Sequence, residues 1–179
     1  MYKEKLIILS DLWGETHSEW LVHYSERLKP YFDLFFYDCR VLAEMDSNEL
    51  AEEKIHHHFV NGGVDRAVHN LLLREPHPTH VLGFSVGGTI GWKSIQKGLK
   101  AKSLTAVSST RLRYENTAPS REIRLYFGEN DPFKPQSEWY VQLHLTEKIF
   151  SEKAHDFYRD QDSASAICND IIGLIDFND

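Results

Sequence analysis

Thr79-His80-Val81-Leu82-Gly83-Phe84-Ser85-Val86-Gly87-Gly88 carries a glycine-serine-glycine pattern directly behind an apolar run. The run at Thr79–Phe84 has the length of a strand and follows Pro76 and Pro78, which end whatever helix precedes them. Residues 89–99 read as a helix, with Gly98 marking its end. The G-x-S-x-G sequence at 83–87 therefore sits between a strand and a helix. A serine on so sharp a turn takes strained backbone angles and needs close neighbours without side chains. Gly83 and Gly87 allow that approach, and Gly88 relaxes it further. The helix start then puts the Val86 N–H near the serine oxygen, where negative charge develops in acyl transfer.

Working outward, strand-length and helix-length stretches alternate. Upstream, 5–10 reads as a strand and 16–28 as a helix, with Trp20, Leu21, Tyr24 and Leu28 on one face. Residues 33–37 read as a short buried strand. Residues 46–60 read as a helix opened by Asp46 or Ser47, and 64–74 as a second helix. Downstream, strands are expected at 103–108, 122–127 and 147–151, and helices at 136–143 and 163–175. Strands separated by helices imply a three-layer α/β sandwich with about six strands, a mostly parallel sheet and helices on both faces. The site of such a sheet lies beyond the carboxyl ends of its strands.

The chain has 179 residues, 41% hydrophobic, 26% charged and 12% aromatic. That suits one domain over residues 1–179 with a core of its own. A formal net charge of −7, with no Lys/Arg cluster, argues against nucleic acid or an anionic membrane as partner. No apolar run approaches the ~20 residues of a transmembrane helix, and the N-terminus lacks a cleavage signal. Cys39 and Cys168, without a CxxC, read as free thiols of a cytoplasmic protein.

A serine nucleophile needs a base and a group that orients it, here in the order serine, acid, histidine. Phe127-Gly128-Glu129-Asn130-Asp131-Pro132 follows a strand, and Ala154-His155-Asp156-Phe157 follows the last one. Asp131 is the expected acid, with Glu129 second, and His155 the expected base. His144 falls in or just after a helix. His56-His57-His58 point in different directions on a helix, so they form a solvated face, with Ile55 and Phe59 marking the buried side. The glycines at 87–91 do not make a phosphate loop, because Trp92 stands where Gly must precede Lys. Trp20, Trp92 and Trp139 are expected to pack helices on the sheet, and Trp13, in a carboxyl-end loop, either to wall the pocket or to pack.

With these motifs in place, the chain from Leu6 to Ile175 resembles the α/β-hydrolases. Within them it is similar to a group of small, nearly lidless serine hydrolases of which retinoblastoma-binding protein 9 is one example. Leu-Gly-Phe-Ser-Val-Gly-Gly at 82–88, Phe-Gly-Glu-Asn-Asp-Pro at 127–132 and Ala-His-Asp-Phe at 154–157 carry the resemblance. It implies a Ser85–Asp131–His155 triad, no metal and no organic cofactor. One departure stands out: Asp11-Leu12-Trp13-Gly14 occupies the place of the family's His-Gly. The expected oxyanion donors are the N–H groups of Val86 and Trp13, with Leu12 as the alternative to Trp13. Asp11 is expected to point away or to accept backbone hydrogen bonds.

The function expected on this basis is hydrolysis of a carboxylic ester or thioester through an acyl-enzyme on Ser85. Its partner would be a small-molecule or carrier-bound acyl substrate. The alternatives are a binding protein on a hydrolase scaffold and an acyltransferase using the same triad. Only residues 109–121 stand where larger relatives insert a lid, so the site should be open. Arg111, Arg113 and Arg121, in or beside that segment, could meet an anionic substrate or simply solvate a loop.

Overall fold

The computed structural model describes residues 3–46, 48 and 51–175. Its six strands are β1 (Glu4–Leu9), β2 (Phe32–Tyr37), β3 (Thr79–Phe84), β4 (Ala101–Val107), β5 (Glu122–Gly128) and β6 (Glu147–Phe150). They form one sheet in the order β2-β1-β3-β4-β5-β6, and every pairing is parallel. The chain steps outward from β1 to β2, returns past β1 to β3, and then runs on to β6. Strand order thus reverses between β1 and β3, where an open α/β sheet leaves a crevice at its carboxyl end. Leu9 pairs with Gly83 in that register, so the loops after β1 and β3 emerge side by side.

Alternation along the strands supplies two apolar faces. Leu6, Ile8, Leu82, Phe84, Val107 and Tyr126 face α1 (Val22–Leu28) and α7 (Gln161–Ile172), which contribute Tyr24, Leu28, Ile167 and Ile171. Ile7, Leu9, Val81, Ala106, Leu125 and Phe127 face the other layer. That layer holds α2 (Cys39–Leu42), α3 (Glu52–His58), α4 (Val64–Arg74), α5 (Val86–Gln96) and α6 (Ser137–Leu143). Trp20, Trp92 and Trp139 are all buried between helices and sheet, as the sequence suggests.

Five local expectations change. The helix expected at 16–28 opens as a 3-10 turn at Glu19–Leu21 before α1. The helix expected at 46–60 shrinks to α3, and Ser47 lies outside the described residues. Between α3 and α4 the backbone breaks helical geometry at Asn61 and Gly62, where Gly62 has φ 98°. An unforeseen helix, α2, starts earlier because the Asp38 carboxylate caps the Arg40 and Val41 N–H groups. The helix after Ser85 begins at Val86 rather than 89, since its glycines press against the sheet. Finally, β2 is not a buried strand: as an edge strand it leaves Phe35 47% and Phe36 39% exposed.

Among the described residues no large lid covers the carboxyl end of the sheet; the element between β4 and β5 is a 3-10 turn at Thr110–Tyr114. Among the described residues, no helix is long and apolar enough to cross a membrane.

Candidate active site

Ser85 has φ 50° and ψ −114°, a conformation that costs energy for a residue with a side chain. It is held by its N–H, which donates to the Val107 carbonyl at 2.8 Å. The turn closes only because two neighbours lack Cβ atoms. A Cβ on Gly83 would lie 2.5 Å from the Gly88 nitrogen, and one on Gly87 would lie 2.5 Å from the Leu9 and Ser10 carbonyl oxygens. Gly87 thereby lets α5 start hard against the end of β1.

The loops after β5 and β6 bring the other two candidates to this serine. Asp131 is fully buried, and its Oδ1 accepts the Phe133 N–H at 3.0 Å. Its Oδ2 is 2.6 Å from His155 Nδ1, and His155 Nε2 is 3.3 Å from Ser85 Oγ. Burial opposes ionisation of Asp131, yet the hydrogen bonds from His155 and the Phe133 N–H outweigh it and hold the carboxyl below its ordinary value. An ionised Asp131 takes a proton-bearing Nδ1 as donor, which leaves Nε2 as the acceptor facing the serine hydroxyl. Ser108 Oγ donates to the His155 carbonyl at 2.6 Å, so the loop after β4 also fixes this histidine. Glu129, the second acid candidate, accepts the Glu152 N–H at 2.8 Å and serves the adjoining turn instead. His144 ends α6 in a left-handed conformation.

The loop after β1 corrects one expectation. The Trp13 N–H does not face the site; it donates to Asp11 Oδ1 at 2.9 Å. The cause is the short reach of an aspartate side chain to the amide two residues on, which closes an Asx turn. Asp11 does accept a backbone hydrogen bond, but it also does more. Its Oδ2 accepts Tyr158 Oη at 3.0 Å and Arg159 Nη2 at 2.8 Å, so this buried carboxylate is satisfied by the segment that follows His155. The Leu12 N–H has no partner among the described residues, and Leu12 lines the cleft at Ser85. Val86 occupies the first position of α5, where a helix N–H has no helical acceptor. Leu12 and Val86 thus each have an amide beside Ser85 with no acceptor among the described residues. Trp13 does not wall the pocket; it packs edge-on to His17, with ring centroids 6.0 Å apart.

Ser85 and His155 open into a cleft of about 540 Å³. Leu12, Phe59, Pro132 and Phe133 give it apolar walls, Glu52, Arg111 and Arg113 bring charge to it, and His56 lies beside them. His56 was expected on a solvated face; it does lie exposed, but on the side that borders the cleft. The spacing of Glu52, His56 and Phe59, at i, i+4 and i+7, is the signal that could have grouped them. Nothing local in the sequence announces Phe133 or the partners of Asp11. Among the described residues, no group of three or more His, Cys, Asp or Glu is disposed to hold a metal ion.

No family model matches this chain, and no curated protein matches it. Solved structures do. A hydrolase of the α/β superfamily from Xanthomonas campestris is 15% identical, with a TM-score of 0.67 over 97% of this chain and 100% of the other. An α-β serine hydrolase homologue from Coxiella burnetii is 16% identical, with a TM-score of 0.65 over 95% of this chain and 87% of the other. Est1E from Butyrivibrio proteoclasticus, bound to ferulic acid, is 10% identical, with a TM-score of 0.68 over 96% of this chain and 89% of the other. With its parallel six-stranded sheet and the serine turn behind β3, the chain has the fold of the α/β-hydrolases.

Proposed function

We propose that this chain is a serine hydrolase of carboxylic esters or thioesters, of the small, lidless kind that resembles retinoblastoma-binding protein 9. The observation that carries this reading is the hydrogen-bonded series Asp131–His155–Ser85, with the serine on a strained strand-to-helix turn. The apo distance of 3.3 Å from His155 Nε2 to Ser85 Oγ is within what a triad shows before substrate tightens it.

In this mechanism Ser85 Oγ attacks the acyl carbon while its proton passes to His155 Nε2. The carbonyl oxygen becomes an oxyanion held by the Val86 and Leu12 N–H groups. The intermediate collapses, the bond from the acyl carbon to the leaving oxygen or sulfur breaks, and the leaving group takes the proton from His155. Water then gives a proton to Nε2 as its oxygen attacks the acyl carbon. The Oγ–acyl bond breaks, the proton returns to Ser85, and the acid departs. Asp131 stays ionised throughout and stabilises the imidazolium that forms twice in the cycle. The scheme draws only on side chains and backbone amides of this chain.

Labelling with a fluorophosphonate probe tests the reading, because the reaction needs an activated serine. The expected result is one adduct on Ser85, absent in Ser85→Ala, together with turnover of short-chain p-nitrophenyl esters that the same substitution abolishes. An unlabelled wild-type protein, or full esterase activity in Ser85→Ala, overturns it.

A further inference from the structure

The cleft at Ser85 gathers arginines on a chain whose net charge is −7. The three arginines of the segment between β4 and β5 have different fates. Arg121 donates to the Ser120 carbonyl at 2.7 Å and lines a separate surface hollow with Gln96 and Thr117. Arg113 lies 4.3 Å over the Tyr114 ring and spends its N–H groups on the Thr110 and Phe133 carbonyls and on Tyr114 Oη. It is a brace for the cleft wall. Arg111 rests 5.4 Å from the same ring and has no hydrogen bond or ion pair with any described residue. Stacking on the ring restrains the guanidinium without using its five donors.

Several of the charges near Arg111 are paired with one another. It borders both the catalytic cleft and an adjoining hollow of about 310 Å³ that contains Asp65, Lys93 and Glu115. There Lys93 pairs with Glu115 at 2.8 Å, and Asp65 with Lys97 at 3.4 Å. Glu52 also lines the cleft and forms no ion pair with Arg111. Asp131 is committed to His155. The backbone that carries Arg111 is anchored close to the proposed chemistry. Leu112, next to it, is fully buried, and Ser108, three residues before it, bonds the His155 carbonyl. A guanidinium resting on a ring with its donors unused is suited to bidentate capture of a planar or tetrahedral oxyanion.

We infer that the substrate carries a second, anionic group, a carboxylate or a phosphate, and that Arg111 binds it while Ser85 attacks the ester. The inference rests on the proposed role of Ser85 and names the substrate class of that same site. The anion can sit on the acyl side or on the leaving group, and matched ester pairs separate these two sources. On the acyl side the pair is the p-nitrophenyl monoester of glutaric acid against p-nitrophenyl valerate. On the leaving side, 4-acetoxybenzoate and 4-acetoxyphenyl phosphate are set against methyl 4-acetoxybenzoate.

The expected result is a kcat/KM preference of about tenfold for the anionic member of at least one pair, expressed mainly in KM. Arg111→Gln removes that preference, Arg111→Lys keeps part of it, and Arg121→Gln retains it in full. A wild-type protein with no anion preference, or an Arg111→Gln variant that keeps the preference, overturns the inference. Fluorophosphonate labelling of each protein separates the two levels. Labelling of Ser85 without an anion preference refutes the role of Arg111 alone, whereas no labelling refutes the serine mechanism and this inference with it.

Discussion

Asp11 Oδ2 stands 2.8 Å from Arg159 Nη2, an ion pair that joins the loop behind β1 to the loop that carries His155. The same carboxylate accepts the Trp13 N–H, while Leu12 between them lines the cleft. One buried side chain therefore ties the loop that carries Leu12 to the backbone just beyond His155. Asp11→Ala would leave the Tyr158 hydroxyl and the Arg159 guanidinium without this partner and free the Asx turn. The expected loss of stability is about 1–3 kcal/mol, the range for removing the acceptor of a charged hydrogen bond. The expected fall in kcat is larger than tenfold with little change in KM, up to the ~10²–10³ of a lost oxyanion donor. Urea midpoints and steady-state kinetics on short esters measure the two effects. A variant with unchanged kcat would show that Asp11 serves stability alone.

Asp131→Asn tests the orientation of the proposed base, His155. The carboxylate accepts the proton-bearing Nδ1 of His155 at 2.6 Å. An asparagine in its place can donate its amide to Nδ1, which moves the ring proton to Nε2 and points it at Ser85. The hydroxyl then has no acceptor. The expected loss in kcat is on the order of 10⁴-fold. Retention of more than a tenth of wild-type kcat would assign the orienting role to another group.

Gly87 makes a steric prediction that separates the turn from the rest of α5. Its missing Cβ is 2.5 Å from two backbone carbonyl oxygens at the end of β1. Gly87→Ala must push α5 and β1 apart at the point where both proposed oxyanion donors originate. The expected cost is about 1–3 kcal/mol of stability, typical of overpacking, with a larger relative loss in the rate of Ser85 labelling. Gly173→Ala is the control, since its Cβ would meet only carbonyl oxygens at 3.5 Å or more. Equal labelling rates for Gly87→Ala and wild type would refute the tight approach.

What was legible in the sequence follows from the range of the interactions. The strand at Thr79–Phe84, the helix at Val64–Arg74 and the serine turn are written in adjacent residues, and the structure has them at those places. The approach of Asp131 and His155 to Ser85 could be anticipated because topology orders the loops before any contact is known. The partners of Asp11 could not. Tyr158 and Arg159 are 147 and 148 residues away, and no local pattern links an acid to them. An apolar run also does not say which side of a sheet it ends on. Asp-Leu-Phe-Phe-Tyr at 33–37 reads as buried, yet β2 is at the edge because the chain crosses back over β1. The arginines were equivalent in sequence, and only the carbonyls available to Arg113 distinguish it from Arg111.

The opposite end of the sheet offers a test by pH, away from the cleft. Glu4, at the start of β1, meets His80 Nε2 at 2.5 Å and the Lys102 ammonium, while His80 Nδ1 is 2.7 Å from Ser103 Oγ. Burial raises the Glu4 carboxyl, but the bonds from Lys102 and His80 exceed it and the net shift is downward. A carboxyl depressed in the folded state binds its proton more readily when unfolded. Its contribution to stability is therefore complete above the unfolded value and is lost as pH falls through the folded one. Glu4→Gln removes this titration while keeping the shape of the side chain. Wild type is expected to exceed Glu4→Gln in urea midpoint at neutral pH, and the gap should close as the solution is acidified below the ordinary carboxylate range. A gap that stays constant or widens in acid would show that Glu4 stabilises the strand ends by packing rather than by charge.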